Sequence, residues 1–312
     1  MLPYVWNRLL LVVPVMLGIS AVVFSITHLL PGDPVLLMLS GAIVTPEQVE
    51  ELLAKLGLDD PIPVQYLRFL RRAIVVDFGR SMFSGRKVMD EIVYQLPSTL
   101  QLAAAAMLIS AGVGLILGIL AAICYNTWID RFATVVSLAG VSMPNFWLGF
   151  LLIFIFSLHL GWLPATGQGG LERLILPAAT LGLGYSAVVT RLVRSSLLEV
   201  LANRYIATAR AKGLSERIVV LKHALGNALI SVVTIIGVQL GNLLAGTIIV
   251  ETVFSRQGMG RLAVTAVLDR DYPLIQGVVI VSALGYVLVN LVVDLAYSIL
   301  DPRIRHQEGA NG

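Results

Sequence analysis

Residues 203–229, NRYIATARAKGLSERIVVLKHALGNAL, form a long and strongly charged stretch with apolar sequence on both sides. The stretch predicts two helices that meet at Gly213. Asn203 is a favourable N-cap, Arg210 stands in the last turn where the helix dipole favours cations, and glycine commonly follows a helix end. Ser215 is placed to cap the second helix. We call residues 203–229 the elbow and expect it to lie at a membrane surface, held at both ends.

The composition is that of an integral membrane protein. Of the 312 residues, 57% are hydrophobic and 13% are charged, and the mean hydropathy is +0.86. Soluble domains carry about 25% charged residues. The net charge of +3 does not indicate nucleic-acid binding, because the basic residues are not gathered into one patch. The single cysteine, Cys124, has no partner for an internal disulfide or a Cys/His metal site.

Charge-poor apolar windows predict an all-α membrane protein with six transmembrane helices. The first window, residues 9–30, is interpreted as a helix and not as a signal peptide, because it is too long and lacks a small-residue cleavage site. In the fourth window, Arg191 and Arg194 are expected to snorkel to the interface. Gly114 and Gly118 have the GxxxG spacing of close helix contacts. The remaining windows are residues 92–129, 132–171, 174–190, 224–250 and 272–293.

The distribution of Lys and Arg sets the predicted orientation. Six helices place both termini on one side, and the cations of the short segments are concentrated on that side, above all between Arg191 and Lys222. Cytoplasmic segments carry such an excess, so the termini, the elbow and the tail (residues 301–312) are predicted to be cytoplasmic. Residues 31–96 then form an external helical segment between the first helix (residues 1–30) and a five-helix core (residues 97–300).

Two helices are predicted in the external segment. One begins at Thr45, because the proline that follows it is favoured at a first helical position. The other covers residues 64–76, with an apolar face formed by Tyr66, Leu67, Leu70 and Ile74. About 65 residues are few for an independent core, so we expect a small helical cap that packs on the membrane helices.

The sequence has no recognisable catalytic centre. It contains no GxxxxGK[ST] nucleotide-binding loop. Ser142 in Gly140-Val141-Ser142 lacks the glycine that follows the nucleophile of a serine hydrolase. The four histidines do not have metal-site spacing. Glu251 and Asp294 stand near span ends, where snorkelling or capping is expected. We therefore predict a transport subunit, not an enzyme, with no cofactor or metal bound by this chain.

The elbow resembles the EAA loop of binding-protein-dependent ABC importer permeases. Ala209, Gly213 and Leu225 fall on the pattern E-A-A-x3-G-x9-I-x-L-P, whereas Ala207, Thr208, His223 and Gly226 depart from it. Further segments are similar to the family branch that handles dipeptides, oligopeptides and nickel. They are Thr208-Ala-Arg-Ala-Lys-Gly-Leu214, Pro31-Gly-Asp-Pro34, Asp77-Phe-Gly79, Pro144-Asn-Phe-Trp-Leu-Gly149, Asp271-Tyr-Pro273, Val293-Asp294 and Leu300-Asp-Pro-Arg-Ile-Arg305.

This resemblance implies half of a type I ABC importer transmembrane domain in a bacterial cytoplasmic (inner) membrane. The expected partners are a second homologous permease in a heterodimer, two cytoplasmic ATPase subunits that use ATP and Mg²⁺, an external solute-binding protein and the lipid bilayer. It also implies that the elbow docks in a groove of an ATPase subunit. Arg210, Lys212 and Arg217 face either that partner or lipid headgroups. The predicted coupling residues are Tyr205, Thr208, Ala209, Arg210, Lys212, Gly213, Leu214 and Leu225.

The third window contains the candidate translocation residues Pro144, Asn145 and Trp147. Pro144 is expected to kink the helix, and an amide such as that of Asn145 should face protein or water and not lipid. The alternative is a packing kink with Trp147 in the core. For substrate, the resemblance favours di- and oligopeptides, with nickel chelates as the alternative. A channel or ion-coupled transporter that acts without ATPases is the more remote possibility.

Overall fold

The computed structural model of the chain describes residues 2–29 and 60–300, and these residues are helical with short connections. The helices are α1 (Leu2–Leu29), α2 (Ile62–Ile74), α3 (Val88–Ile123), α4 (Trp128–Ser142), α5 (Asn145–Leu152), α6 (Glu172–Leu201), α7 (Arg204–Ala211), α8 (Glu216–Ile218), α9 (Leu225–Val253), α10 (Met259–Leu268) and α11 (Tyr272–Leu300). Two π-helical turns continue them, Ile153–His159 after α5 and Val219–Ala224 between α8 and α9.

Each of the six predicted windows coincides with a long helix or with the bent pair α4–α5. By length and composition, four of the described helices can cross a membrane, and five can if the bent pair counts as one span. α1 has 28 residues and is about 42 Å long. The all-α prediction is confirmed. The predicted helix at Thr45, the Pro31–Pro34 motif and the tail at residues 301–312 lie outside the described residues.

The chain forms two compact units, and the first contains Met1–Ser98 and Gly258–Leu288. Within it, Asp271 stands just before α11 and is almost fully buried. Its carboxylate accepts hydrogen bonds from the Ser81 hydroxyl (2.5 Å), the Met82 N–H (3.0 Å) and the Leu274 N–H (3.2 Å). Asp271 therefore both caps α11 and fixes the turn that leads into α3.

Helix α2 packs on α1 through a different face from the predicted one. Phe69 is buried and Tyr66 is half-buried, whereas Leu67 and Ile74 are 65% and 81% exposed. Rings of Phe24 on α1 lie 5.3 Å from Tyr66 and 6.0 Å from Phe69, and the Tyr66 hydroxyl is 2.9 Å from that of Ser20 on α1. These aromatic contacts decide the orientation, so the prediction of Leu67 and Ile74 on the buried face was wrong.

The second unit contains Thr99–Gln257 and Val289–Gly312, and its centre is α6. Glycines let α3 approach α6 closely, because a Cβ on Gly114 would lie 2.5 Å from the Val189 Cβ and one on Gly118 would lie 2.6 Å from the Val193 Cβ. The GxxxG contact predicted from the sequence is thus made within the chain.

One buried acid in this unit departs from its prediction. Glu251 is fully buried near the end of α9 and accepts a 2.6 Å hydrogen bond from the Thr99 hydroxyl on α3. Snorkelling of Glu251 to an interface was therefore the wrong expectation, since a polar partner distant in sequence satisfies the carboxylate inside the helix bundle.

The third window is a broken helix pair and not a kinked helix. α4 ends at Ser142, α5 begins at Asn145, and the two are bent by 111°. Met143 is extended (φ −85°, ψ 128°) because the ring of Pro144 disfavours helical backbone in the preceding residue. The backbone carbonyl of Pro144 then accepts the Trp147 N–H at 3.0 Å, which starts α5. Pro144 therefore marks the position of the bend, as predicted, but the chain breaks the helix there instead of only kinking it.

Candidate coupling site

The elbow turns sharply at Gly213, as predicted. α7 ends at Ala211, and Gly213 has a left-handed backbone (φ +76°) that side chains rarely adopt. Its N–H donates to the Arg210 carbonyl at 2.9 Å, and the Lys212 N–H donates to the Thr208 carbonyl at 3.1 Å. The Lys212 bond is the last bond of the regular helical pattern, and the Gly213 bond satisfies a carbonyl group that the end of the helix leaves without a helical partner.

The predicted N-caps stand at the right positions but work differently. Asn203 precedes α7 and Ser215 precedes α8, yet neither side chain makes a capping hydrogen bond. The Asn203 amide lies 3.5 Å from the Glu199 carbonyl instead. The Ser215 carbonyl accepts the Ile218 N–H at 2.9 Å, so the backbone alone begins the second helix.

The inner face of α7 packs into the second unit. Ile206 is fully buried and Ala209 is 9% exposed. They belong to one apolar cluster with Ala122, Leu197, Val219, Val220, Ala224 and Ala228. Ala209, one of the predicted coupling residues, therefore faces inward against this cluster. Leu225, another of the predicted coupling residues, is half-buried at the start of α9.

A hydrogen bond between Tyr205 and Asn227, which we call the latch, joins α7 to the start of α9. The Asn227 amide donates to the Tyr205 hydroxyl at 2.9 Å, and the same amide donates to the His223 carbonyl at 3.2 Å. Tyr205 and Asn227 are 22 residues apart in sequence. The bond therefore joins the two arms of the elbow through Tyr205.

The outer face of α7 and the turn after it are exposed. Thr208, Arg210, Lys212, Gly213 and Leu214 all lie on this surface. Sequence reasoning missed that Ile218 and Leu221, which follow the turn, are also 43% and 50% exposed. Their exposure could have been expected from the sequence, because Ile218 follows Arg217 and Leu221 precedes Lys222 in the charged elbow.

An ion pair joins the two sides of the turn. Arg210 donates to both carboxylate oxygens of Glu216, from Nε at 3.0 Å and from Nη2 at 2.5 Å. This hydrogen bonding by Arg210 lowers the pKa of the Glu216 carboxyl below its usual range, and it raises the pKa of the Arg210 guanidinium. Because both side chains are exposed, water screens the pair, and its main effect is on the geometry of the turn.

The three predicted translocation residues come together at the α4–α5 break. Pro144 and Trp147 are exposed, the latter by 45%, and Asn145 is half-buried. The Asn145 Oδ1 atom lies 3.0 Å from the place a Cβ would occupy on Gly184 of α6. The alternative with Trp147 in the core of this chain does not hold. Gly149, one turn later, packs against Thr180 and Phe254.

Arg194 forms an ion pair that the sequence did not predict. It lies in α6 and donates to Asp130 of α4, from Nε to Oδ1 at 2.6 Å and from Nη2 to Oδ2 at 2.9 Å. Sequence reasoning missed Asp130, because the partners are 64 residues apart. Within residues 2–29 and 60–300, no group of three or more His, Cys, Asp or Glu side chains has the arrangement of a metal site.

Comparisons with known proteins decide the family. Residues 114–306 match the family model described as "Binding-protein-dependent transport system inner membrane component", and residues 1–103 match the model of the corresponding N-terminal region. The chain belongs to this family. It is a membrane permease subunit of an ABC importer, and it is a transport component, not a catalytic one.

Curated relatives cover this permease from end to end. The glutathione transport system permease protein GsiC of Escherichia coli (strain K12) is 44% identical over 307 residues, which is 98% of this chain and 100% of the relative. The protein of the same name from Salmonella paratyphi A is 45% identical over 311 residues, with the same coverage. The resemblance inferred from the sequence motifs is thereby confirmed.

Solved structures support the fold. An inward-facing structure of the MetNI methionine ABC transporter matches with a TM-score of 0.60 at 19% identity, over 68% of this permease and 97% of the matched chain. An amino acid ABC transporter crystallised with histidines matches with a TM-score of 0.52 at 18% identity, over 69% and 94% of the two chains. The predicted type I importer fold is confirmed at the level of architecture.

Proposed function

We propose that this permease carries di- and oligopeptides, including short peptides of the size of glutathione, through a pathway of which it forms half. The observation that carries the proposal is the identity of 44–45% over 98% of the chain to permeases named for glutathione transport, because glutathione is a tripeptide. The α4–α5 break supports it. Asn145 offers an amide that can bond to a peptide backbone, and Trp147 offers an exposed ring beside it.

The partners in the proposal are a second, homologous permease, two cytoplasmic ATPase subunits that use ATP and Mg²⁺, and an external solute-binding protein. The permease is placed in the inner membrane of a bacterium with both termini and the elbow in the cytoplasm, because Lys and Arg are concentrated in those segments. The family supports the need for a binding protein, since it is named for binding-protein-dependent transport.

The elbow is proposed to be the contact with an ATPase subunit. The exposed residues Thr208, Arg210, Lys212, Gly213 and Leu214 would touch the partner. Tyr205, Ala209 and Leu225 would hold α7 in place through the latch and the apolar cluster. A short helix that is anchored on its inner face and closed by a tight turn moves as a lever, so its displacement is passed to α6 and α9, the helices at its two ends.

Uptake into proteoliposomes tests the substrate. The permease would be reconstituted with its second permease, ATPase subunits and binding protein, and the imported compound measured for a dipeptide, a tetrapeptide, glutathione and a nickel chelate. We expect ATP-dependent uptake of peptides. Uptake of the nickel chelate alone would replace the peptide assignment with metal import. Uptake that persists without ATP and ATPase subunits would contradict the coupled mechanism and indicate a channel or ion-coupled transporter.

A further inference from the structure

The pair Asp130–Arg194 is a partly buried ion pair between α4 and α6, joined by two hydrogen bonds. The side chain of Asp130 is 7% exposed and that of Arg194 is 29% exposed. Asp130 also accepts the Asn126 N–H at 3.0 Å, and the Arg194 guanidinium lies 5.5 Å from the centre of the Tyr125 ring. Charge-assisted bonds of this fork geometry fix distance and direction at once.

The pair is placed close to the elbow. α6 ends at Leu201 and α7 begins at Arg204, so only Ala202 and Asn203 separate the two helices. Arg194 is seven residues before the end of α6, which is about 10 Å along the helix. A displacement of α7 thus reaches Arg194 through two turns of one continuous helix.

On the other side of the pair, α4 leads to the helix break. Asp130 lies in the first turn of α4, which runs antiparallel along α6. A Cβ on Gly140 of α4 would lie 3.4 Å from the Ala187 Cβ of α6, and Asn145 lies against Gly184. The contacts with α6 therefore follow in order from Arg194 to Gly184, about 15 Å along the helix.

We propose that Asp130 and Arg194 are positioning residues that fasten α4 to α6, so that the two helices move as one body and a displacement of the elbow reaches Pro144 and Asn145. The pair lies in the first turn of α4, at the end of that helix nearest the elbow. The inference rests on the proposed coupling of the elbow to an ATPase.

A reversible disulfide tests whether α4 and α6 move together. The background is Cys124→Ser, and the two introduced cysteines are Gly140→Cys and Ala187→Cys. Their Cβ atoms would lie about 3.4 Å apart, close to the Cβ–Cβ distance of a disulfide. We expect the oxidised, cross-linked permease to transport peptide at the rate of its reduced form. Loss of uptake on oxidation, with recovery on reduction, would overturn the proposal, because it would mean that α4 must slide along α6.

Substitution of the acid tests the role of the pair. We expect Asp130→Asn to lower uptake about tenfold, the size of a typical coupling between sites, while the complex still assembles and hydrolyses ATP. The disulfide between Gly140→Cys and Ala187→Cys should restore uptake in this variant. Because assembly and ATP hydrolysis are already intact in Asp130→Asn, such a recovery reports the position of α4 on α6 and not the repair of an unfolded protein. Asp60→Asn, which removes the exposed ion pair with Arg68 on α2, is the matched control and should leave uptake unchanged.

A third measurement does not depend on the substrate. The rate of disulfide formation between Gly140→Cys and Ala187→Cys, measured on the permease in its membrane, should fall when Asp130→Asn is added. An unchanged rate would overturn the fastening role even if no tested compound is transported. Failure of wild-type uptake with a slowed cross-link would count against the peptide assignment and not against the pair.

Discussion

Gly213 gives the sharpest prediction, because its cost is set by the backbone and not by crowding. Nothing lies within 4 Å of the place where a Cβ would stand, but the φ of +76° is unfavourable for any side chain. Substitution by alanine costs about 1–2 kcal/mol of free energy in this conformation, which corresponds to roughly a five- to thirtyfold smaller population of the turn. Asparagine tolerates left-handed backbone better and should cost less.

Proline is a different case. It fixes φ near −65° and removes the N–H that donates to the Arg210 carbonyl. The turn of Gly213→Pro therefore cannot form, while α6 and α9 remain folded. We expect uptake to decrease in the order Gly, Asn, Ala, Pro, with ATP hydrolysis by the complex retained in all four.

Proteoliposome uptake divided by ATP hydrolysed measures this coupling. Gly226→Ala is the matched control, because Gly226 is exposed, has ordinary helical backbone and nothing lies within 4 Å of its Cβ position. It should leave coupling unchanged. Full uptake by Gly213→Pro would refute the proposal that the turn at Gly213 transmits movement to α6 and α9. Equal loss for Asn, Ala and Pro would show that bulk in the partner groove, and not backbone strain, is decisive.

Two further predictions concern the helix seam and the turn. Gly114→Ala should lower the stability of the permease by about 1–3 kcal/mol, because the new methyl group meets Val189. Gly112→Ala is the control and should leave stability unchanged, because nothing lies within 4 Å of its Cβ position. Equal melting temperatures of the two variants in detergent would contradict the close packing at Gly114. The pair Arg210–Glu216 is present at neutral pH and is lost as pH falls through the lowered pKa of Glu216, since protonation removes the acceptor charge. NMR titration of that carboxyl should give a lower midpoint in the wild type than in Arg210→Gln, and identical midpoints would count against the pairing.

Local signals in the sequence predicted the helices and the turn. A glycine after a charged helix is sufficient for the left-handed residue at Gly213, because this conformation depends on a few neighbouring residues. The long apolar windows gave the six helices for the same reason. Pro144 marked the α4–α5 break correctly, but its size of 111° depends on how α5 packs on α6 and α9, which a local signal does not contain.

Contacts between distant residues were not predictable in this way. The Asp130–Arg194 pair joins residues 64 apart and Thr99–Glu251 joins residues 152 apart, so the sequence predicted neither contact, and it assigned the buried Glu251 to the interface. On α2, periodicity identified the helix but selected Leu67 for the buried face. The aromatic contacts of Phe69 with α1 decided otherwise, and those contacts are not visible in the periodicity of α2.

A cross-link from the elbow to an ATPase subunit tests directly whether the elbow is the coupling site. In a Cys124→Ser background, a photoreactive maleimide would be attached at Lys212→Cys on the exposed turn and, as the control, at Leu171→Cys, which is 81% exposed and lies on the predicted external side. We expect a cross-linked band with an ATPase subunit for Lys212→Cys and none for Leu171→Cys. Absence of the band at Lys212→Cys in an assembled, ATP-hydrolysing complex would contradict the claim that the elbow is the coupling site.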